Sequence, residues 1–129
     1  MCIHRGAHEV GGSCIEIEHE GARLVLDVGL PLNIGFGDNY ALPGVRGLRE
    51  GDPSIVGLIL SHGHPDHFGL VAEVHGSVPR YLGEATQRIL QEAAFFTGGG
   101  GRIAAAGHLS DHLTMLQSAH LRLPRKTTA

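Results

Sequence analysis

The chain has 129 residues, 42% of them hydrophobic, and a formal charge of -3 at neutral pH. That size and composition suit one globular domain burying roughly two thirds of its unfolded surface, and the charge excludes the broad basic field of a general nucleic-acid binder, leaving only local basic patches for such a partner. Cys2 and Cys14 are the only thiols and form no C-x-x-C pair, so a disulfide framework and a zinc ribbon are excluded and reduced cysteines in a cytoplasmic protein are expected. The start, MCIHRGAHEV, has no apolar signal region, and no apolar run approaches the ~20 residues of a bilayer span.

Taken in chain order, GAHEVGGS (6–13) has glycines but neither a GK[ST] ending nor G-x-G-x-x-G spacing, so it reads as a tight turn into a strand. His8 and Glu9 on it can face a neighbouring site but are not counted as catalytic. SCIEIEH (13–19) alternates apolar and acidic residues, and ARLVLDVG (22–29) is nearly continuous and apolar apart from Asp27. With Glu20 and Gly21 between them they predict a hairpin, its second strand buried on both faces except at Asp27. The stretch from Pro31 to Ser54 is rich in Gly, Pro, Asn and Asp and is expected to be a long loop of the kind that rims a site.

IVGLIL (55–60) reads as a buried strand ending at Ser61. Pro65 suits a helix entry, and Phe68, Leu70, Val71 and Val74 recur at helical spacing after Asp66. VPRYLG (78–83) predicts a further strand and EATQRILQEAAFF (84–96) a helix, which TGGGG (97–101) ends. Strand, helix, strand, helix is an α/β pattern. Beyond the glycines periodicity is weak, and LPRKTTA carries no packing signal.

Between the 55–60 strand and the following helix lies SHGHPDHFGL, where His62, His64, Asp66 and His67 fall within six positions. Imidazole and carboxylate are ligands of a borderline divalent ion, zinc first, with manganese or iron as other occupants. On extended chain His62 and His64 point the same way, while Asp66 and His67 turn toward a neighbouring position at the helix start. One or two metal positions are therefore expected, with further ligands from elsewhere. Isolated histidines such as His4, His19, His75 and His120 are read as surface or core residues. Gly63 and Gly69 would allow close approach of backbone or substrate, and a turn requirement explains them equally well.

HGHPDH resembles the H-x-H-x-D-H signature of the metallo-β-lactamase superfamily, and LVLDVG with the GGS-strand-turn pattern before it resembles that fold's first hairpin. The resemblance covers about residues 3–96 and implies an α/β fold of the αββα sandwich type, of which this single domain, 1–129, would be the N-terminal half, truncated at its C-terminus. It implies that His62 and His64 hold a first metal, that Asp66 and His67 hold a second or its water, and that Asp27 orients the ligands from behind. Asp66 would also orient the attacking water, its catalytic role. The implied activity is metal-dependent hydrolysis of an ester-like or phosphodiester bond, with RNA, DNA, or a small ester or thioester as substrate. The first 30 residues look most similar to the ribonuclease J branch.

Complete members add a third histidine, a bridging aspartate and a final histidine. Here the last acid is Asp111, and His108, His112 and His120 are the later histidines, with His112 weighed as a third ligand. The competing expectation is a non-catalytic metal-binding fragment. An incompletely covered sheet would favour self-association.

Overall fold

The computed structural model describes residues 1–35, 38–96 and 103–109, with Phe95 and Phe96 as backbone only. The chain runs β1 (Cys2–Arg5), β2 (Cys14–His19), β3 (Ala22–Leu26), β4 (Ile55–Leu60), α1 (Pro65–Phe68), a 3-10 turn (Val71–Glu73), β5 (Arg80–Gly83), α2 (Glu84–Phe96) and β6 (Gly107–Leu109). The strands form one sheet in the order β1 to β6. β1–β2 and β2–β3 pair antiparallel, and β3–β4, β4–β5 and β5–β6 pair parallel. The two helical crossovers, β4 to β5 and β5 to β6, step in the same direction, so the usual right-handed connection places α1 and α2 on one face of the sheet.

The β2–β3 hairpin closes as foreseen through Glu20 (φ 49) and Gly21 (φ 82). Left-handed backbone at both central positions matches the right-handed twist of the paired strands. The covered face holds Cys14, Val25, Leu58, Leu60 and Leu82, all at 0% exposure, against Phe68, Leu70, Val71, Val74 and Leu90. Val45 and Leu48 of the long loop are buried in the same cluster, so much of that loop is a plug for the core rather than a rim.

Several expectations are corrected. β3 is not buried on both faces: Arg23 and Val25 are buried while Ala22, Leu24 and Leu26 are half-buried. It ends at Leu26, because Asp27 turns to φ 59 and takes the chain off the sheet. Asp27, the position excepted from burial, is itself buried. Arg23 is buried too, held by Glu16 and by Ser54 Oγ at 3.3 Å, with His4 on the other Glu16 oxygen at 2.7 Å.

The helix expected from Asp66 onward breaks after one turn. Its backbone groups are taken by a neighbouring strand exit: Leu30 N–H donates to Pro65 O (2.9 Å), Val28 N–H to His67 O (2.9 Å), and Leu70 N–H to Val28 O (2.9 Å). Pro65 O still accepts from Gly69 N–H at 2.8 Å, but the single Leu70 N–H, spent on Val28 O, cannot donate to Asp66 O, so the i to i-4 ladder stops there. The apolar spacing of Phe68, Leu70, Val71 and Val74 still buries all four. α2 spans the expected residues, whereas β1 and β6, four and three residues long, had no sequence signal. The glycine run 97–101, His112, His120 and the C-terminal LPRKTTA lie outside the described residues.

Candidate metal centre

Parallel pairing brings the carboxyl ends of β3 and β4 to the same edge of the sheet. Asp27 follows β3 directly, and Ser61 and His62 follow β4. His64 then stays extended (φ -103, ψ 143) as the residue before α1, with Pro65 in the first turn, where its missing N–H has no partner to lose. One turn of helix suffices to bring Asp66 and His67 back over the strand ends.

Among the described residues, His62, Asp66 and His67 form a group whose ligand atoms all lie within 4.8 Å of one another, each residue half-buried. The His62 and His67 rings are 3.9 Å apart, and His67 Nε2 lies 3.2 Å from Asp66 Oδ2. His64 stands beside the group, its ring edge-on to His62 at 4.9 Å. The expected pairing of His62 with His64 and of Asp66 with His67 is therefore not the tightest arrangement, since His62 lies with Asp66 and His67.

Behind the group, Asp27 Oδ2 accepts from His67 Nδ1 at 2.8 Å and from Ser61 Oγ at 2.8 Å, while Oδ1 accepts the Ser61 N–H at 2.8 Å. A buried carboxylate is costly unless so bonded. With Nδ1 engaged by Asp27, His67 turns its Nε2 toward Asp66. Two imidazoles and a carboxylate, one ring backed by a second carboxylate, are the donor set of a borderline divalent ion, and His62, Asp66 and His67 would hold it.

The corner is fixed by direct backbone packing. A Cβ on Gly29 would lie 1.7 Å from the Asp66 carbonyl oxygen, so only glycine lets the chain leaving β3 lie against the ligand loop. Ser13 N–H also donates to Asp66 O at 3.3 Å, and Gly29 N–H to Ser13 O at 3.0 Å. The turn 6–13 thus buttresses the ligand loop, with Gly6, Gly11 and Gly12 all at positive φ, as its tight-turn reading required.

The family model described as "Metallo-beta-lactamase superfamily" matches residues 9–79, a segment that contains Asp27 and all four candidate ligands. The chain belongs to the metallo-β-lactamase superfamily. Its one mixed sheet with helices accords with an α/β fold of that type. It is 39% identical over 69 residues to "Ribonuclease J" of Synechocystis sp., covering 52% of this chain and 11% of that protein. It is 32% identical over 69 residues to "RNase J-like protein" of Methanocaldococcus jannaschii, covering 54% of this chain and 14% of that one. The chain thus spans roughly a tenth to a seventh of the length of these relatives. A solved structure, a protein of unknown function from Enterococcus faecalis V583, superposes with a TM-score of 0.55 at 21% identity over 72% of this chain and 28% of that one, a likeness of fold.

Other histidines and acids weighed from the sequence stand apart from this group. His8 and Glu9 are exposed and outside the group. His4 bonds Glu16, His75 bonds Ser77 at 2.8 Å, and His108 on β6 meets Gln87. His112 lies outside the described residues. A Cβ on Gly63 would meet nothing closer than 3.4 Å, so packing does not demand glycine there, whereas at Gly69 it would come within 2.7 Å of Leu30. Sequence reasoning missed Ser61 and Gly29. Both sit where the strand ends meet the ligand loop, and a small residue flanking a strand-end acid or ligand was the available signal.

Proposed function

We propose that this chain carries the metal-ligating corner of a hydrolase that cleaves phosphodiester bonds, with RNA as substrate class. The observation that carries the reading is the convergence of His62, Asp66 and His67 with Asp27 bonded behind them; the likeness to proteins named ribonuclease J supports the substrate. Zinc is the proposed ion, one or two per chain, with manganese or iron as alternatives. When bound, such an ion supplies Lewis acidity, so that hydroxide is available near neutral pH. His62 and His67 would bind it, His64 would be a further donor, and Asp66 would both bind it and accept a hydrogen bond from the attacking water. Asp27 holds the His67 ring in one orientation, sparing that rearrangement during turnover. A cytoplasmic setting fits the proposed RNA substrate, and no helix among the described residues is long and apolar enough to cross a membrane.

A second reading, a metal-binding chain without turnover, is favoured by the donor count where hydrolysis needs two ions: the one compact three-residue group among the described residues supplies the three protein ligands of a single zinc and leaves a second ion without its own. Elemental analysis of the purified chain should find a divalent metal, lost in the double variant His62→Ala with His64→Ala; unchanged metal content refutes the site. Metal-dependent cleavage of a labelled RNA, abolished by His64→Ala, decides for hydrolysis, and metal uptake with no cleavage decides for the second reading.

A further inference from the structure

Ser61 is the residue by which β4 hands the chain to the ligand cluster, and its hydroxyl touches three groups there. It donates to Asp27 Oδ2 at 2.8 Å, lies 3.0 Å from His62 Nδ1, and lies 3.3 Å from His67 Nδ1. Its backbone N–H donates to the other Asp27 oxygen. An ionised carboxylate only accepts, so the single hydroxyl proton is directed at Asp27 and the hydroxyl oxygen is left as an acceptor. The nearest ring nitrogen to that oxygen is His62 Nδ1, which must then carry the proton.

We propose that Ser61 is a positioning residue: by donating to Asp27 and accepting from the His62 Nδ1–H, it fixes His62 in the tautomer whose Nε2 lone pair is free for a divalent cation. Asp27 acts directly on His67 through the 2.8 Å contact to its Nδ1, and indirectly on His62 through Ser61. One buried carboxylate thereby sets the tautomer of two histidines, the second by relay. Asp27 is the natural pivot because its left-handed backbone (φ 59) turns it off the sheet at the end of β3, opposite the end of β4. Ser61 itself is exposed, so what it adds is direction rather than burial: a water in its place could bond the same groups but would be free to reverse its donor and acceptor roles.

This role in metal binding rests on the metal-site reading above, but the tautomer can be measured without metal. In metal-free protein, at a pH where the imidazoles are neutral, two-bond proton–nitrogen correlation spectra should show His62 as the Nδ1–H form, and Ser61→Ala should convert it to a mixture. With Zn2+ in competition against a chromophoric chelator, Ser61→Ala should bind roughly tenfold more weakly, as is usual when a ligand's supporting hydrogen bond is lost, while Ser61→Thr, which keeps the hydroxyl, should stay within about twofold of the unaltered chain. An unchanged His62 tautomer in Ser61→Ala, or undiminished Zn2+ affinity in a folded Ser61→Ala, overturns the proposal and leaves the metal site standing. Failure of the unaltered chain to bind Zn2+ overturns the metal-site reading and the role of Ser61 in metal binding with it. Equal weakening in Ser61→Thr and Ser61→Ala would show that shape, not the hydroxyl, matters, and also overturns it.

Discussion

At Asp27 three demands meet: a strand must end, a buried carboxylate must be satisfied, and His67 must be held. The backbone meets the first with φ 59, a conformation that aspartate tolerates better than most residues, and the three hydrogen bonds from Ser61 and His67 meet the second and third. Asp27→Ala should therefore weaken Zn2+ affinity ten- to a hundredfold; normal binding in a chelator competition would mean that His67 needs no support. Cys14 shows the opposite treatment of an ionisable group. Burial pushes its thiol up to about 12 from 9.0, so it stays neutral in the folded chain and inert, since the thiolate is the nucleophile. Iodoacetamide at pH 8 should modify exposed Cys2 readily and Cys14 only on unfolding, which mass spectrometry of the alkylated peptides reads directly. Because the unfolded thiol ionises near 9.0 and the folded one near 12, this residue's contribution to stability is complete below about pH 9 and is lost as pH rises toward 12.

Among the elements, the exit of β3 and the start of α1 behave as one piece, joined by backbone hydrogen bonds from Val28, Leu30 and Leu70. Gly29→Ala places a methyl group 1.7 Å from the Asp66 carbonyl oxygen, so the segments must part. Urea denaturation should show a loss of about 1–3 kcal/mol, the scale of overpacking, together with weakened metal binding; retention of both would mean that the contact relaxes without moving Asp66. On β2, opposite Val25, burial raises the Glu16 carboxyl, but hydrogen bonds from Arg23 and His4 outweigh it and hold it below its usual value. A carboxyl held low stabilises the fold above its ordinary pKa of 4.5 and loses that contribution as pH falls below it. Glu16→Gln should make stability between pH 3 and pH 6 less dependent on pH, as seen in thermal melts.

For the whole molecule, the two faces of the sheet are unequal. Register partners share a face, so Ile3 with Ile15, Ile15 with Leu26, Ile17 with Leu24, Leu26 with Ile59, and Ile59 with Tyr81 form a continuous apolar surface. Among the described residues its members are half-buried or exposed, Ile3 at 49% and Ile17 at 39%. A contiguous apolar surface of that kind favours association. Sedimentation velocity of the isolated chain should show a species larger than a monomer that shifts toward monomer in Ile17→Lys; a monomer at all concentrations would mean that this face is satisfied within the chain.

The sequence by itself determined the hairpin, the strand at 55–60, the helix at 84–96 and the identity of the four candidate ligands. Each is encoded locally, by period, turn residues or close spacing, in the way that Glu20-Gly21 closes β2 on β3 and HGHPDH gathers donors on one corner. Only the tertiary structure decided which donors converge, that Ser61 joins Asp27 behind them, that α1 stops after one turn, and that β1 and β6 exist at all. Those outcomes depend on contacts between residues far apart in sequence: Asp27 reaches Ser61 and His67 because β3 and β4 run parallel across a long loop, and α1 ends where the Leu70 N–H is claimed by Val28. A strand of three or four residues such as β1 or β6 carries no period of its own and forms because a neighbouring strand offers its hydrogen-bonding edge.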